Sequence, residues 1–186
     1  MTTLHGARVM LRPWRADDRS AFATLNADPA VMRHFPAPLT AAESDGFMDR
    51  IGGHFAAHGY GFWAVELRNR PGAIGLCGLA CLPWANIPWE APNDPPVEIG
   101  WRLATPFHGK GLAREAAELS LSHGFGTLGL GEIVAFTAPG NAASWGLMER
   151  LGMCRAGEFD HPRLPEGHVL RRQVLYRLRR EAWHGG

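Results

Sequence analysis

Gly109 and Gly111 flank a single lysine in the octapeptide Pro106-Phe107-His108-Gly109-Lys110-Gly111-Leu112-Ala113, where a strand-like run passes into a helix-like one. Glycine has no Cβ and reaches positive φ. Such a turn can therefore aim consecutive backbone N–H groups, and the positive end of the following helix dipole, at an anion. Phosphate binding is the chemistry this spacing suits, although a strand-to-helix turn with no ligand would read the same way locally. Two other phosphate motifs fail on identified positions. A Walker loop needs Ser or Thr after Gly-Lys, where Gly111 stands, and a dinucleotide fingerprint needs three glycines at fixed offsets, which are absent.

Other reactive residue types carry less. His54 and His58 have the spacing of a zinc pair on a helix, but Phe-Ala-Ala separates them without an acidic partner, so no metal is expected. Cys77 and Cys81 fall on one face of an expected strand, ~13 Å apart by strand rise, too far for a disulfide or a shared metal, and both read as core thiols. Ser144 is outside any Gly-x-Ser-x-Gly elbow, which leaves a hydrolase nucleophile without support.

The elements that must position these groups follow from periodicity. Residues 97–103 read as the strand before the glycine turn and 112–128 as the amphipathic helix after it. Residues 132–137 form a β-branched and aromatic strand. A helix then opens at Asn141 and is ended by Gly152. Asn141 suits an N-cap, a role compatible with holding a ligand. Upstream, 7–13 alternates as a first strand, and 16–26 shows Ala21, Phe22 and Leu25 at helical spacing. Residues 40–58 form a second helix opened by a Thr40/Glu43 capping box, with Phe47, Ile51, His54, Phe55 and His58 facing inward. Residues 62–68 and 73–83 read as a hairpin across the turn residues 69–72, and the Pro- and Trp-rich 84–96 as an ordered flap.

Composition bounds the function. A chain of 186 residues suits one α/β domain over 1–186, with no repeat or linker. A net charge of +1 argues against nucleic acid as a partner, and the cluster Arg171, Arg172, Arg177, Arg179 and Arg180 reads as a solvated strand edge. No apolar run of about 20 residues and no basic-then-apolar leader occurs, so no membrane partner is expected. Three cysteines, an odd number, point to reduced thiols and a cytoplasmic location. The sequence is compatible with a monomer or a homodimer.

The order of strand, Gly-x-Gly turn, long helix, strand and an Asn141-x-x-Ser144 helix ending in Leu151-Gly152-Met153 resembles the GNAT (Gcn5-related) N-acetyltransferase superfamily. Val9-Met10-Leu11-Arg12-Pro13-Trp14 followed by Asp17-Asp18, with the late Val174-Leu175-Tyr176-Arg177-Leu178, further resembles the branch named after the ribosomal-protein acetyltransferases RimJ and RimL. The likeness runs nearly end to end and is strongest over 97–153. It departs at Pro106, where the family usually has Gln or Arg, and at His108, where the branch often has Trp.

The resemblance implies a mixed α/β fold with a twisted, mostly antiparallel sheet of about seven strands flanked by about four helices. It implies an acetyl-CoA-dependent N-acetyltransferase, without a metal, whose acceptor is a primary amine on a small molecule or a protein N-terminus. Transfer would occur by direct attack in a ternary complex, with a general base for the amine and a donor for the departing thiolate. Carried over by position, Glu98 is the base, with a solvated strand-end carboxylate as the alternative reading. Trp101, Leu103, His108, Gly109, Lys110, Gly111, Leu112, Ala113, Asn141 and Ser144 would hold the cofactor. Many relatives carry Tyr where Met148 stands, so Ser144 takes the leaving-group role, with Tyr176 second. Arg33, His34, Phe35, Trp84 and Trp89 would shape the acceptor pocket. A catalytically silent acyl-CoA-binding module is the alternative function, against which Glu98 and Ser144 speak.

Overall fold

The computed structural model describes residues 2–84, 87, 89–91 and 95–185. Its strands are β1 (Leu4–His5), β2 (Val9–Arg12), β3 (Phe62–Leu67), β4 (Arg70–Cys81), β5 (Val97–Leu103), β6 (Glu132–Thr137), β7 (Cys154–Asp160) and β8 (Arg172–Arg179). They form a mixed sheet in the order β1-β2-β3-β4-β5-β6-β8-β7. The recorded pairings are antiparallel except β5 with β6, which run parallel and meet at Glu98 opposite Val134. The helices are α1 (Arg19–Ala27), α2 (Pro29–Met32), α3 (Ala41–His58), α4 (Leu112–Ser122) and α5 (Ala142–Arg150). The fold class is the expected one. The additional strand and helix are the two-residue β1 and the four-residue α2, each too short to display a period in sequence. No helix among the described residues is long and apolar enough to cross a membrane.

The chain divides into two compact units, one of the residues before Cys81 with Gly100–Ser120, the other of Cys81–Ile99 with the residues after Ser120. In the first, β2, β3 and β4 bury Val9, Leu11, Trp63, Val65, Leu76 and Leu79, and α1 and α3 contribute Phe22, Leu25, Met48, Ile51 and Phe55. The capping box of α3 forms as expected: Glu43 N–H donates to Thr40 Oγ1 at 3.2 Å and Thr40 N–H donates to Glu43 Oε2 at 2.8 Å. Its buried stripe, however, is Ser44, Met48, Ile51 and Phe55. His58 is exposed and His54 half-buried: their ring centroids lie 4.4 Å apart, tilted by 36°, and His54 Nδ1 sits 2.8 Å from the Tyr60 carbonyl. α1 starts at Arg19, after a 3-10 turn over Ala16–Asp18, and leaves Ala21 exposed. β4 and β5 approach so closely that a Cβ at Gly75 would lie 2.2 Å from the Arg102 carbonyl, which explains a glycine there.

A buried ion cluster ties β2, β3 and the turn before α1 together. Arg12 donates to both carboxylate oxygens of Asp18 at 2.7 and 2.8 Å and through Nε to Glu66 at 2.7 Å. The cluster raises the pKa of the Arg12 guanidinium, chiefly through the Asp18 bond, while its bonds hold the Asp18 carboxyl below its usual value against burial.

In the second unit β6 pairs with β8 from Glu132 opposite Arg179 to Thr137 opposite Val174, and β8 continues onto β7. The late arginines are mostly balanced by acids. Arg177 pairs with Glu132 at 2.9 Å, Arg172 with Glu158 at 2.9 Å and Arg171 with Asp160 at 3.4 Å. The helix expected over 112–128 ends at Ser122 because His123–Thr127, with two glycines, widens into a turn closed by Leu128 N–H to the His123 carbonyl at 3.0 Å. Of the segment read as a flap, 85, 86, 88 and 92–94 lie outside the described residues.

Candidate active site

The glycine turn has the geometry the sequence calls for. Gly109 and Gly111 adopt φ of 70° and 75°, values that L side chains rarely reach. The first helical bond of α4 is Glu115 N–H to the Gly111 carbonyl at 3.2 Å, so the amides before it have no partner inside the helix. Two cations attend the turn. Lys110 lies on it, its Nζ 6.0 Å from the Phe107 ring centroid, and Arg8 donates to the Lys110 carbonyl at 2.9 Å while its Nε bonds Glu115 at 2.8 Å. A Cβ added at Gly111 would come within 3.3 Å of the Arg8 guanidinium. Sequence reasoning missed Arg8, which no local motif marks: its partner on α4 is 107 positions away. His108, expected at the cofactor, sets its Nε2 2.7 Å from the Leu103 carbonyl and so fastens the turn to the end of β5. Pro106 lies in a 3-10 turn over Thr105–Phe107, which suits its fixed φ.

Over the first residues of β5 the pattern of exposure alternates. Val97 and Ile99 are buried, while Glu98 lies on the opposite face. Glu98 is half-buried, and the loss of water raises its pKa to about 7, with Arg163 pulling in the opposite direction. A carboxyl with that pKa can accept a proton and release it near neutral pH. It is not a fully solvated strand end. Trp101 is half-buried and Leu103 buried at 5% exposure.

In the second unit, Asn141 precedes α5 but does not cap it. Its Nδ2 donates to Thr137 Oγ1 at 2.9 Å, and its φ of −87° and ψ of 65° keep the side-chain oxygen from the helix amides. The backbone carbonyl of Asn141 accepts the Ser144 N–H at 3.0 Å. Ser144 is half-buried on the first turn of α5, and Gly152, at φ 81°, ends that helix as expected. Met148 is buried at 2% exposure and has no proton to give. Tyr176 is buried at 3% on β8, where its hydroxyl donates to Glu149 at 2.9 Å; burial and that bond raise its pKa. Tyr176 is thus a core residue with its proton engaged.

The residues expected around the acceptor belong to both compact units. In the first unit Arg33 and Phe35 are exposed and His34 half-buried, its pKa lowered by burial and by Arg33. Phe35 lies against the guanidinium of Arg102, whose Cζ is 4.0 Å from the ring centroid. Trp84 and Trp89, in the second unit, pack with Phe136 on the buried group Leu82, Val134, Phe159 and Leu175. Trp84 lies 5.2 Å from Phe136 and 5.0 Å from His161, and Trp89 5.1 Å from Phe159. Cys77 is buried, its thiol pushed up to about 12 by burial, and Cys81 is half-buried.

With this geometry in place, a family model described as an acetyltransferase (GNAT) domain matches residues 8–154. The chain belongs to the GNAT acetyltransferase family. It is 26% identical over 178 residues to YnaD, an uncharacterized N-acetyltransferase of Bacillus subtilis (strain 168), covering 95% of this chain and 96% of that protein. It is 29% identical over 196 aligned residues to the FsC-acetyl coenzyme A-N(2)-transacetylase of Aspergillus fumigatus, covering 97% of this chain and 77% of that protein. A GNAT-family acetyltransferase of Bacillus anthracis has the same fold, with a TM-score of 0.79 at 24% identity over 97% of this chain and 99% of that one.

This GNAT acetyltransferase therefore carries out acetyl-CoA-dependent acetylation. Its own residues suit the donor. The turn at Gly109 and Gly111 presents amides that lack helical partners, beside the cations Arg8 and Lys110. That is a donor set for a pyrophosphate.

Proposed function

We propose that this GNAT acetyltransferase, acting as one domain over 1–186, transfers acetyl from acetyl-CoA to a primary amine by direct attack in a ternary complex. The observation that carries this reading is Glu98, a half-buried carboxyl with a pKa raised to about 7, on the strand that runs on to the phosphate-type turn. Acetyl-CoA supplies an activated thioester. Glu98 takes the proton of the acceptor ammonium, which must be lost before nitrogen can attack. Gly109, Lys110, Gly111, Leu112 and Ala113 hold the pyrophosphate through backbone N–H groups, and the backbones of Trp101 and Leu103 orient the pantetheine arm. Asn141 contributes a side-chain amide to the same cofactor. Ser144 donates to the departing sulfur, a role for which the engaged Tyr176 hydroxyl and the apolar Met148 are unsuited.

The acceptor is a small amine or a protein N-terminus, the latter being the substrate type of the RimJ/RimL branch whose motifs this chain resembles. Arg33, His34 and Phe35, with Trp84 and Trp89, bear on its choice. The protein acts as a monomer or homodimer in the cytoplasm. Thiol release from acetyl-CoA with a panel of amines and N-terminal peptides tests the reading. Release with at least one of them, lost in Glu98→Gln, is expected. CoA binding with no release from any acceptor would instead favour the silent acyl-CoA-binding module.

A further inference from the structure

Arg102 has no place in the chemistry so far, yet its guanidinium is closely held. Its Nη1 donates to Asn26 Oδ1, and Asn26, fully buried, is itself fixed by donating from Nδ2 to Ser44 Oγ at 2.9 Å. Its guanidinium plane is walled by aromatic rings, with Cζ 4.0 Å from the Phe35 centroid and 5.8 Å from that of Phe47. Its Nε is buried and has no hydrogen-bond partner, and among the described residues no carboxylate forms an ion pair with it. Burial alone lowers its pKa to about 10, the reverse of the shift at Arg12.

A guanidinium withdrawn from water without a counter-ion is unfavourable, and one left with an unused buried N–H more so. The Ser44–Asn26 chain and the two rings nevertheless hold it in one orientation. Arginine is the residue that combines ring stacking with a planar fork of donors matching a carboxylate. One of its walls, Phe35, is 38% exposed, so this wall is open to solvent. Arg102 also lies at the end of β5 that leads into the glycine turn.

We infer that Arg102, held by Asn26 and stacked on Phe35, is an anchor for a carboxylate carried by the amine acceptor, so that the acceptor class is amino acids or similar carboxylated amines. A single guanidinium suits one negative charge, which favours a carboxylate over a phosphate dianion. The inference rests on the acetyltransferase reading of the site and specifies its substrate.

The test pairs β-alanine, γ-aminobutyrate and ε-aminocaproate with their carboxamides, measuring acetyl transfer by steady-state kinetics and binding to the protein alone by calorimetry. Wild type is expected to prefer the carboxylate at its best length by roughly 10- to 100-fold in kcat/KM, mainly through KM, as charge-assisted hydrogen bonds imply. In Arg102→Gln the ratio should fall to about one, through a rise in KM for the carboxylate. Arg102→Lys, which keeps the charge without the fork, should fall between. A wild-type ratio near one at every length, which needs no variant to measure, would overturn the inference and leave the acetyltransferase reading standing, as would equal losses for both members in Arg102→Gln. Carboxylate-selective binding that vanishes in Arg102→Gln, with no acetyl transfer to any amine, would uphold the anchor and sink the enzyme reading. Neither selective binding nor transfer would sink both.

Discussion

Arg12 and Arg102 belong to the same compact unit and are built in opposite ways. Arg12, at 3% exposure, meets Asp18 and Glu66 at 2.7–2.8 Å, and the cluster holds its pKa up. Arg102 meets an amide and two rings, keeps a buried Nε without a partner, and has its pKa lowered to about 10. Glu98 on the same strand repeats the contrast, raised to about 7 by burial that Arg163 only partly offsets. The charges around β2 and β3 are satisfied by the fold itself. Those on β5 are left unbalanced, and unbalanced groups are the ones able to exchange a proton or take a ligand.

The sharpest way to break this contrast is Arg12→Met, which strands two buried carboxylates. A loss of about 3–5 kcal/mol in urea unfolding is expected. Arg102→Gln should cost less than about 1 kcal/mol in the same assay, because no carboxylate loses its partner. Equal costs for the two would end the distinction.

Glu98→Gln comes next. It keeps size and hydrogen bonding but loses basicity, so turnover should fall by ~10²–10⁴ with acetyl-CoA affinity held. The carboxylate is the working form. The wild-type rate should therefore decline as pH drops through about 7, and the variant should lack that acidic limb. A variant with full turnover and the wild-type pH profile would make Glu98 a bystander.

Gly111→Val probes the unsatisfied amides of the glycine turn. At φ 75°, with Arg8 3.3 Å from the new Cβ, the turn must shift. Calorimetry should show CoA binding weakened by about 1.5–3 kcal/mol, the worth of a charge-assisted hydrogen bond. Unchanged affinity in a folded protein would remove the phosphate assignment.

The smallest effects are expected on α5. Ser144→Ala should lower turnover with little change in CoA affinity. Asn141→Ala should weaken CoA binding and lose about 0.5–1.5 kcal/mol of stability through its bond to Thr137, since it caps no helix. Steady-state kinetics and thermal unfolding of both variants separate the two roles.

How much of this was legible varies by element. β5 and β6 lie where alternation and β-branched composition put them, over Val97–Leu103 and Glu132–Thr137. The α3 cap formed because Thr40 and Glu43 need only each other. The buried stripe of α3 differs from the expected one because helical spacing counted from Phe47 runs on through His54 and His58, whereas the positions that pack inward are Ser44, Met48, Ile51 and Phe55. What buries Ser44 is Asn26, 18 positions away. Asn141 has the residue type of a cap as well as of a ligand, but its side-chain amide goes to Thr137 and makes no bond to the helix.

The sequence alone determined the family and the glycine turn, because these depend on residue type at short spacing. Only the tertiary structure decided which charges are balanced. Arg12 and Arg102 are both arginines on strands, and whether each meets a carboxylate or an aromatic wall depends on contacts 54 and 76 residues apart. Desolvation and Coulomb energy depend on distance in space, which no local pattern encodes.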